Sequence, residues 1–435
     1  MNYNYLEEAC QLNDELVAYR RYLHANPELG LSLPGTKAYV MKALSDFGYQ
    51  PLEYGESGVA VLAGGKKPGK VFLIRADMDA LPIEEESGVP YASRIKGRMH
   101  TCGHDNHTAM LLGAAKLLKR HEDEIEGTVK ILFQPGEETL EGAKAMIEAG
   151  ILENPHVDAA LMFHDIAGSP VKEGTVGVFG PGAVYASSGR FEIHIKGVGG
   201  HGAAPDWTHN PLGAMCAIYQ GIHEIVAEHR SPFDSCTMTV GKMSAGDSAN
   251  IIPETAIMQG TIRTFSKQVG ERLRKDLVTL VEYVGKAKGV TAEVTFGTAC
   301  PPLVVDSNVH KSFLCSMKEM FGDEAWDMRT AWGGGELTAK AQVPRIFPIS
   351  PKRFLPALAG YSLGTAVRDA SGDVIIPRYS LMMPIFTGAR LLILRRQWIG
   401  CWKMQRQERY RTVSGRQKRL FMRWPEIDGG CPLKG

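Results

Sequence analysis

The chain has 435 residues, 44% hydrophobic and 22% charged, with a formal net charge of +1. The length suits about two to three domains, the composition excludes a disordered or fibrous chain, and the balanced charge excludes a global field aimed at nucleic acid or an anionic membrane. The polar, acidic Met1–Glu8 segment reads as no secretory signal, no apolar run is long enough to span a bilayer, and eight cysteines without paired spacing suit a reducing cytoplasm.

In chain order, Leu6 to Leu23 predicts one amphipathic helix, with Leu6, Ala9, Leu16 and Leu23 on one stripe. Leu31 to Phe47 predicts a second. Val71-Phe72-Leu73-Ile74 reads as a buried strand that ends in Arg75-Ala76-Asp77-Met78-Asp79. A helix follows at Ala109 to Leu118. The strand Val129 to Phe133 stops at Gln134-Pro135-Gly136-Glu137-Glu138, and the strand Ala159 to Phe163 stops at His164-Asp165. Apolar strands that alternate with helices and end in potential ligands predict an α/β domain with its site at the carboxyl ends of the strands. After Gly180-Pro181-Gly182, strands at Phe191–Ile195, Thr237–Val240 and Ala292–Phe296 and helices at Leu212–Glu228 and Lys267–Lys288 predict an inserted α+β unit. Cys300-Pro301-Pro302 marks the return to the first domain.

Three features carry chemistry. The stretch Met99-His100-Thr101-Cys102-Gly103-His104-Asp105-Asn106-His107 supplies thiolate, imidazole and carboxylate groups suited to zinc or a similar divalent ion. Its spacing is not that of a zinc finger, and the bland reading is a polar loop with a helix-capping Asp105. The Glu137-Glu138 pair lets one carboxylate ligate while its neighbour serves as a general base; alone, it would be a solvated surface. His164 ends the third strand, where a lone histidine is more often structural. Together, the three point to a shared metal site.

The chain resembles the amidohydrolases typified by hippurate hydrolase, N-acyl-amino-acid hydrolases and auxin-conjugate hydrolases, within the aminoacylase and zinc carboxypeptidase family. The resemblance lies in Arg21-Tyr22-Leu23-His24-Ala25-Asn26-Pro27-Glu28-Leu29-Gly30, Arg75-Ala76-Asp77-Met78-Asp79-Ala80-Leu81-Pro82, the Met99–His107 cluster and Phe133-Gln134-Pro135-Gly136-Glu137-Glu138. It continues through Gly199-Gly200-His201-Gly202-Ala203-Ala204-Pro205, Asn250-Ile251-Ile252-Pro253-Glu254 and Gly260-Thr261-Ile262-Arg263-Thr264-Phe265, to about Val305. It implies a metallopeptidase-type α/β catalytic domain with an inserted α+β dimerisation (lid) domain. The expected organisation is 1–182 and 299–394 for the catalytic domain, 183–298 for the insert and 395–435 for an atypical basic tail.

The resemblance also implies roles. Cys102, His104, Glu138 and His164 are metal ligands, with Cys102 bridging two divalent ions (zinc, manganese, cobalt or nickel). Glu137 is the general base, and Asp79 orients a ligand. His201 reaches the partner subunit's site in a homodimer, and Asn250 and Arg263 contact substrate. The bland readings of the last two are a turn asparagine and a strand arginine in an ion pair. The implied substrate is an N-acyl amino acid or similar small amide; nucleic acid and membrane are not expected partners.

The family pattern departs near the C-terminus. It calls for Gly-(Gly/Ser)-Glu-Asp-Phe, then a strand ending in Leu-Gly, then His-His-Pro with the last ligand, then an Asp-rich segment. Here Gly334-Gly335-Glu336-Leu337 is a partial match, and no histidine follows His310. Read from the last base of the Asp373 codon, Val374-Ile375-Ile376-Pro377 can encode Arg-His-His-Pro. Met382-Met383-Pro384 in that frame encodes Asp-Ala, and Gly360–Gly364 permits a Leu-Phe-Leu-Gly-like run. The hypothesis is that roughly Pro344 to Pro384 is translated out of frame; the alternative is a divergent segment. Phe386-Thr387-Gly388-Ala389-Arg390-Leu391-Leu392 is family-like again, and the tail beyond Leu394 mixes arginine and tryptophan. A scaffold with impaired catalysis and a dipeptidase or carboxypeptidase are therefore the rival readings.

Overall fold

The computed structural model describes residues 5–165 and 176–327, with two short pairs at 367–368 and 374–375. By its contacts the chain divides into Met1–Leu391 and Leu392–Gly435. Apart from those pairs, the partial match at 334–337, the proposed out-of-frame stretch at 344–384, the family-like 386–392 and the tail at 395–435 lie outside the described residues.

The first sheet holds strands β1 (Leu52–Tyr54), β2 (Gly58–Gly64), β3 (Lys67–Asp77), β4 (Glu126–Gln134) and β5 (Ala159–Met162), in the order β1-β2-β4-β3-β5. β3 lies between β4 and β5 and runs parallel to both, whereas β2 is antiparallel to β4. The central strands are apolar on both faces because both are covered. Ile74, Ile131, Phe133, Val59 and Val61 point into one core; their neighbours Leu73, Leu132 and Ala60 point into the other. The first core is filled by helices α1 (Tyr5–Gln11), α2 (Asn13–Ala25), α3 (Pro34–Asp46) and α4 (His104–Arg120). The second takes α5 (Gly142–Glu148).

The expected single helix from Leu6 to Leu23 is two helices. The Leu12 N–H donates to the Ala9 carbonyl at 3.0 Å, one residue short of α-helical spacing. The tightened turn carries Leu12 into the core beside Ala9 and Leu16. The expected helix at Leu31 begins at Pro34, whose fixed φ and missing N–H suit a first helical position.

From residue 176 on, β6 (Val176–Val178) and β7 (Gly182–Tyr185) precede a second, wholly antiparallel sheet. Its strands are β8 (Ser188–Lys196), β10 (Cys236–Ser244), β12 (Thr255–Thr264) and β13 (Thr291–Cys300), ordered β10-β12-β8-β13. Helices α6 (Pro211–Glu228) and α7 (Lys267–Lys288) cover one face and form a core with it that is separate from the first two. The minor strands β9 (Gly200–His201) and β11 (Ile251–Ile252) pair with each other, and β14 (Leu303–Val305) pairs with β7, so the strands entering and leaving the insert lie side by side. The helix α8 (Ser307–Phe321) is capped by the Asp306 carboxylate, which accepts the Asn308 and Val309 N–H groups at 2.8 and 3.0 Å. Then β15 (Ala325–Asp327) pairs in parallel with β6.

Leu277 is fully buried on the face of α7 that meets the second sheet. Leu277→Ala is expected to lower stability by about 2–5 kcal/mol through lost burial and a residual cavity. Urea unfolding read by circular dichroism checks this; an unchanged midpoint would mean that α7 does not carry the insert's core.

Candidate active site

The parallel pairing of β3 with β4 and β5 brings three strand ends to one edge of the sheet. β4 stops at Pro135, which cannot donate to a ladder. There Asp79 makes three backbone contacts. Its carboxylate oxygens accept the N–H groups of Glu137 at 2.9 Å and Glu138 at 3.0 Å. Its carbonyl accepts the Nδ1–H of His104 at 2.8 Å. That bond fixes the His104 tautomer and leaves Nε2 as a lone pair facing inward.

His104 opens α4, behind Gly103 at φ +81°. A side chain at Gly103 would also meet the Asp165 carboxylate at 2.3 Å, so only glycine fits the turn that carries Cys102 and His104. The Sγ of Cys102 lies 3.4 Å from His164 Nε2, and the other ring nitrogen of His164 faces the Asp165 carbonyl. His104 Nε2 lies 3.9 Å from Glu137 Oε2 and 3.8 Å from Glu138 Oε1. Two donor sets, Cys102–His104–His164 and His104–Glu137–Glu138, each fall within 4.8 Å.

A divalent cation fits this place. His104 Nε2, Glu137 Oε1 and Glu138 Oε1 are buried and make no hydrogen bond among the described residues. Buried acceptors without donors are costly unless a cation completes them. Thiolate, imidazole and carboxylate together suit zinc and related ions. Burial pushes the Glu137 carboxyl up to about 7, against the opposing pull of the His104 imidazole.

A buried charge network braces the cluster from behind. Arg75 Nη1 donates to Asp77 at 2.8 Å, His107 Nδ1 to Asp77 at 2.6 Å, and His107 Nε2 to Asp165 at 2.7 Å. Asn106 Nδ2 donates to the other Asp165 oxygen at 2.6 Å. Burial would lower the His107 pKa, but Asp77 and Asp165 outweigh it and hold the ring up to about 9. Beside it, Asp105 forms an ion pair with Arg20 Nε at 2.9 Å and accepts from His24 Nδ1 at 2.8 Å. Burial opposes the charge on Asp105, yet Arg20 and His24 hold its carboxyl far below the usual range. None of Asp77, His107, Asp165 and Asp105 was assigned a site role from sequence. Available signals were the two-residue spacing of Arg75 and Asp77 on a strand and the three-residue spacing of His104 and His107 on a helix.

The remaining candidates lie in the insert. His201 is exposed on β9, and its Nδ1 accepts the Ala203 N–H at 3.1 Å. Asn250 is brought next to it: His201 pairs with Ile251, and Gly202 donates to the Asn250 carbonyl at 2.9 Å. Neither belongs to the donor sets above. Arg263 sits half-buried on β12, its Nη1 without a partner among the described residues. The ion pair of the bland reading is absent among the described residues; burial and the nearby Arg190 both depress its pKa.

Residues 73–352 match the model of peptidase family M20/M25/M40. The N-acetyl-L-cysteine deacetylase of Bacillus subtilis is 38% identical over 300 residues, 68% of this chain and 71% of the relative. An N-acyl-L-amino acid amidohydrolase of Geobacillus stearothermophilus is 36% identical over 68% of this chain and 81% of its own length. In three dimensions, a dinuclear metal-binding peptidase of the M20 family from B. subtilis superposes with a TM-score of 0.66 at 26% identity, covering 87% of this chain and all of that one (100%).

His107 generates a pH prediction for the metal-free chain. Its folded pKa of about 9 lies above the ordinary 6.5, so its stabilisation is full below pH 6.5 and is lost as pH rises through about 9. The stability difference between the native chain and His107→Gln is therefore expected to shrink over that window. Urea melts of both proteins from pH 6 to pH 10 measure it, with the window spanning about those two pKa values; a difference that grew with pH would contradict the assigned charge.

Proposed function

We propose that this chain, which belongs to peptidase family M20/M25/M40, hydrolyses the amide bond of N-acyl amino acids or similar small amides. The observation that carries the reading is the convergence of Cys102, His104, Glu137, Glu138 and His164, with unpartnered buried atoms facing one point. The acylated amino acid is what both curated relatives act on by name.

Cys102, His104, Glu138 and His164 would hold divalent metal, two ions per subunit (zinc, manganese, cobalt or nickel). When bound, the metal supplies Lewis acidity and a water of lowered pKa. Glu137 takes the proton of the attacking water and returns it to the leaving amine, a task suited to a carboxyl titrating near neutrality. Asp79 holds Glu137 and Glu138 at their amides and His104 at its ring. Arg263 receives the substrate carboxylate in its guanidinium fork, and Asn250 lines the same substrate. The insert, 183–298 within a catalytic domain of 1–182 and 299–394, carries a homodimer contact. Through it His201 reaches the partner subunit's site and steadies the oxyanion. A cytoplasmic setting fits eight cysteines without paired spacing, and no helix among the described residues is long and apolar enough to cross a membrane.

In a chain whose 344–384 stretch is read in the displaced frame, Glu137→Gln is expected to retain metal while turnover on N-acyl amino acids falls by about 10²–10⁴-fold, since only the proton carrier is removed. Metal analysis beside steady-state kinetics decides the role; near-normal turnover would remove Glu137 as the base. A free dipeptide assayed in parallel separates the amidohydrolase from a dipeptidase.

The dimer reading predicts complementation. In that displaced-frame version, His201→Ala and Glu137→Gln chains, each inactive alone, regain partial activity when mixed and re-associated as dimers. Demonstrably mixed dimers with no recovery would place the action of His201 in its own subunit.

The missing C-terminal histidine carries the last prediction. Without that ligand the chain as written is expected to hold depleted metal and to turn over little. A version with the 344–384 stretch read in the displaced frame regains both. Mass spectrometry of bound metal and hydrolysis of an N-acyl amino acid panel compare the two; full occupancy and turnover in the chain as written would refute the frameshift.

A further inference from the structure

We infer that the structure carries, at the far end of α4, a second binding site that takes a small aromatic anion. A cavity of about 600 Å³ opens among α2, α3 and α4, walled by Tyr19, Tyr39 and Phe47, by Lys116, Lys119 and Arg120, and by the carboxylates Glu15 and Asp46, each of which is paired with a lysine of the lining. That volume lies within the range of small-molecule sites, about 300–1,000 Å³. Metal-site residue His104 opens the same helix. The cavity's cations lie 12 to 16 residues further on, about 18–24 Å along the helix axis. The two sites therefore share no residue.

The walls combine rings with cations. The Tyr19 ring packs edge-on to Tyr39 at 6.2 Å and tilted against Phe47 at 6.5 Å. Lys116 Nζ stands 5.4 Å from the Phe47 ring centre. Such faces accept a planar ring by offset or edge contact. Among the cations, Lys116 is held by Glu15 and Lys119 by Glu122. Arg120 is exposed and has no ion pair among the described residues, so its fork is open to a carboxylate or phosphate. Burial pushes the Tyr39 phenol up to about 12, so it stays a hydrogen-bond donor rather than a competing anion. Cations at a helix C-terminus also complement the macrodipole. That role accounts for Lys119 and Arg120 but not for an open cavity walled by aromatic rings.

Titration calorimetry of the full chain with benzoate, phenyl phosphate and inorganic phosphate tests the site. Either aromatic probe binds saturably, and whichever binds more tightly identifies the anion; inorganic phosphate binds at least about tenfold more weakly, for want of the ring contact. Arg120→Gln, an exposed change that leaves the fold intact, is expected to weaken the aromatic probe by about tenfold. Tyr39→Leu does the same in a protein with an unchanged circular dichroism spectrum, whereas Arg263→Gln leaves this binding unaltered. No saturable binding, binding indifferent to Arg120→Gln, or binding lost instead with Arg263→Gln would overturn the inference.

Discussion

The carboxylate of Asp79 joins the amides of Glu137 and Glu138, while its own carbonyl receives the His104 ring. One residue at the end of β3 thus ties the end of β4 to the first turn of α4. Backbone N–H groups are fixed donors, and a carboxylate that accepts two of them is held in position. Everything else in the cluster depends on this clamp. It aims the Glu137 and Glu138 side chains toward His104 and frees the imidazole lone pair that faces them.

The clamp works because the material behind it is rigid. Arg75, Asp77 and His107 are all buried and linked in a chain of charge-assisted hydrogen bonds that continues to Asp165. Removing one member leaves its neighbours as buried uncompensated charges, which is why such networks resist piecemeal change. Asp165 also fills the space that a side chain at Gly103 would take. The turn bearing Cys102 and the strand end bearing His164 are therefore fitted to each other, although 62 residues separate them in the chain.

The insert is organised on a different basis. Its four strands bury one face under α6 and α7, and the core it forms is its own. β12 runs through the middle of that sheet and carries Arg263, a half-buried cation beside Arg190 rather than beside an acid. Two like charges without a described counter-ion form an unfinished electrostatic arrangement, and an anionic substrate group would complete it.

The apolar runs of β3, β4 and β5 and the polar residues that end them were legible in the chain, because a strand buried on both faces must be apolar and must stop where its ligands begin. The limits of α7, Lys267 to Lys288, were legible too, from Ser266 as N-cap to Gly289 in the left-handed region. β12 was not read as a strand. Gln259 and Gly260 interrupt its apolar alternation, and Gly260 is tolerated only because the Phe191 ring lies where a side chain would be. Nor could the sequence divide the first helix at Leu12, since that turn is set by the core Leu12 enters. Residue types and strand ends, which depend on local pattern, were determined by the sequence by itself. The pairing of Asp165 with His107, the aim of His104 and the company of Arg263 were decided only by the tertiary structure, because each joins atoms that chain order leaves far apart.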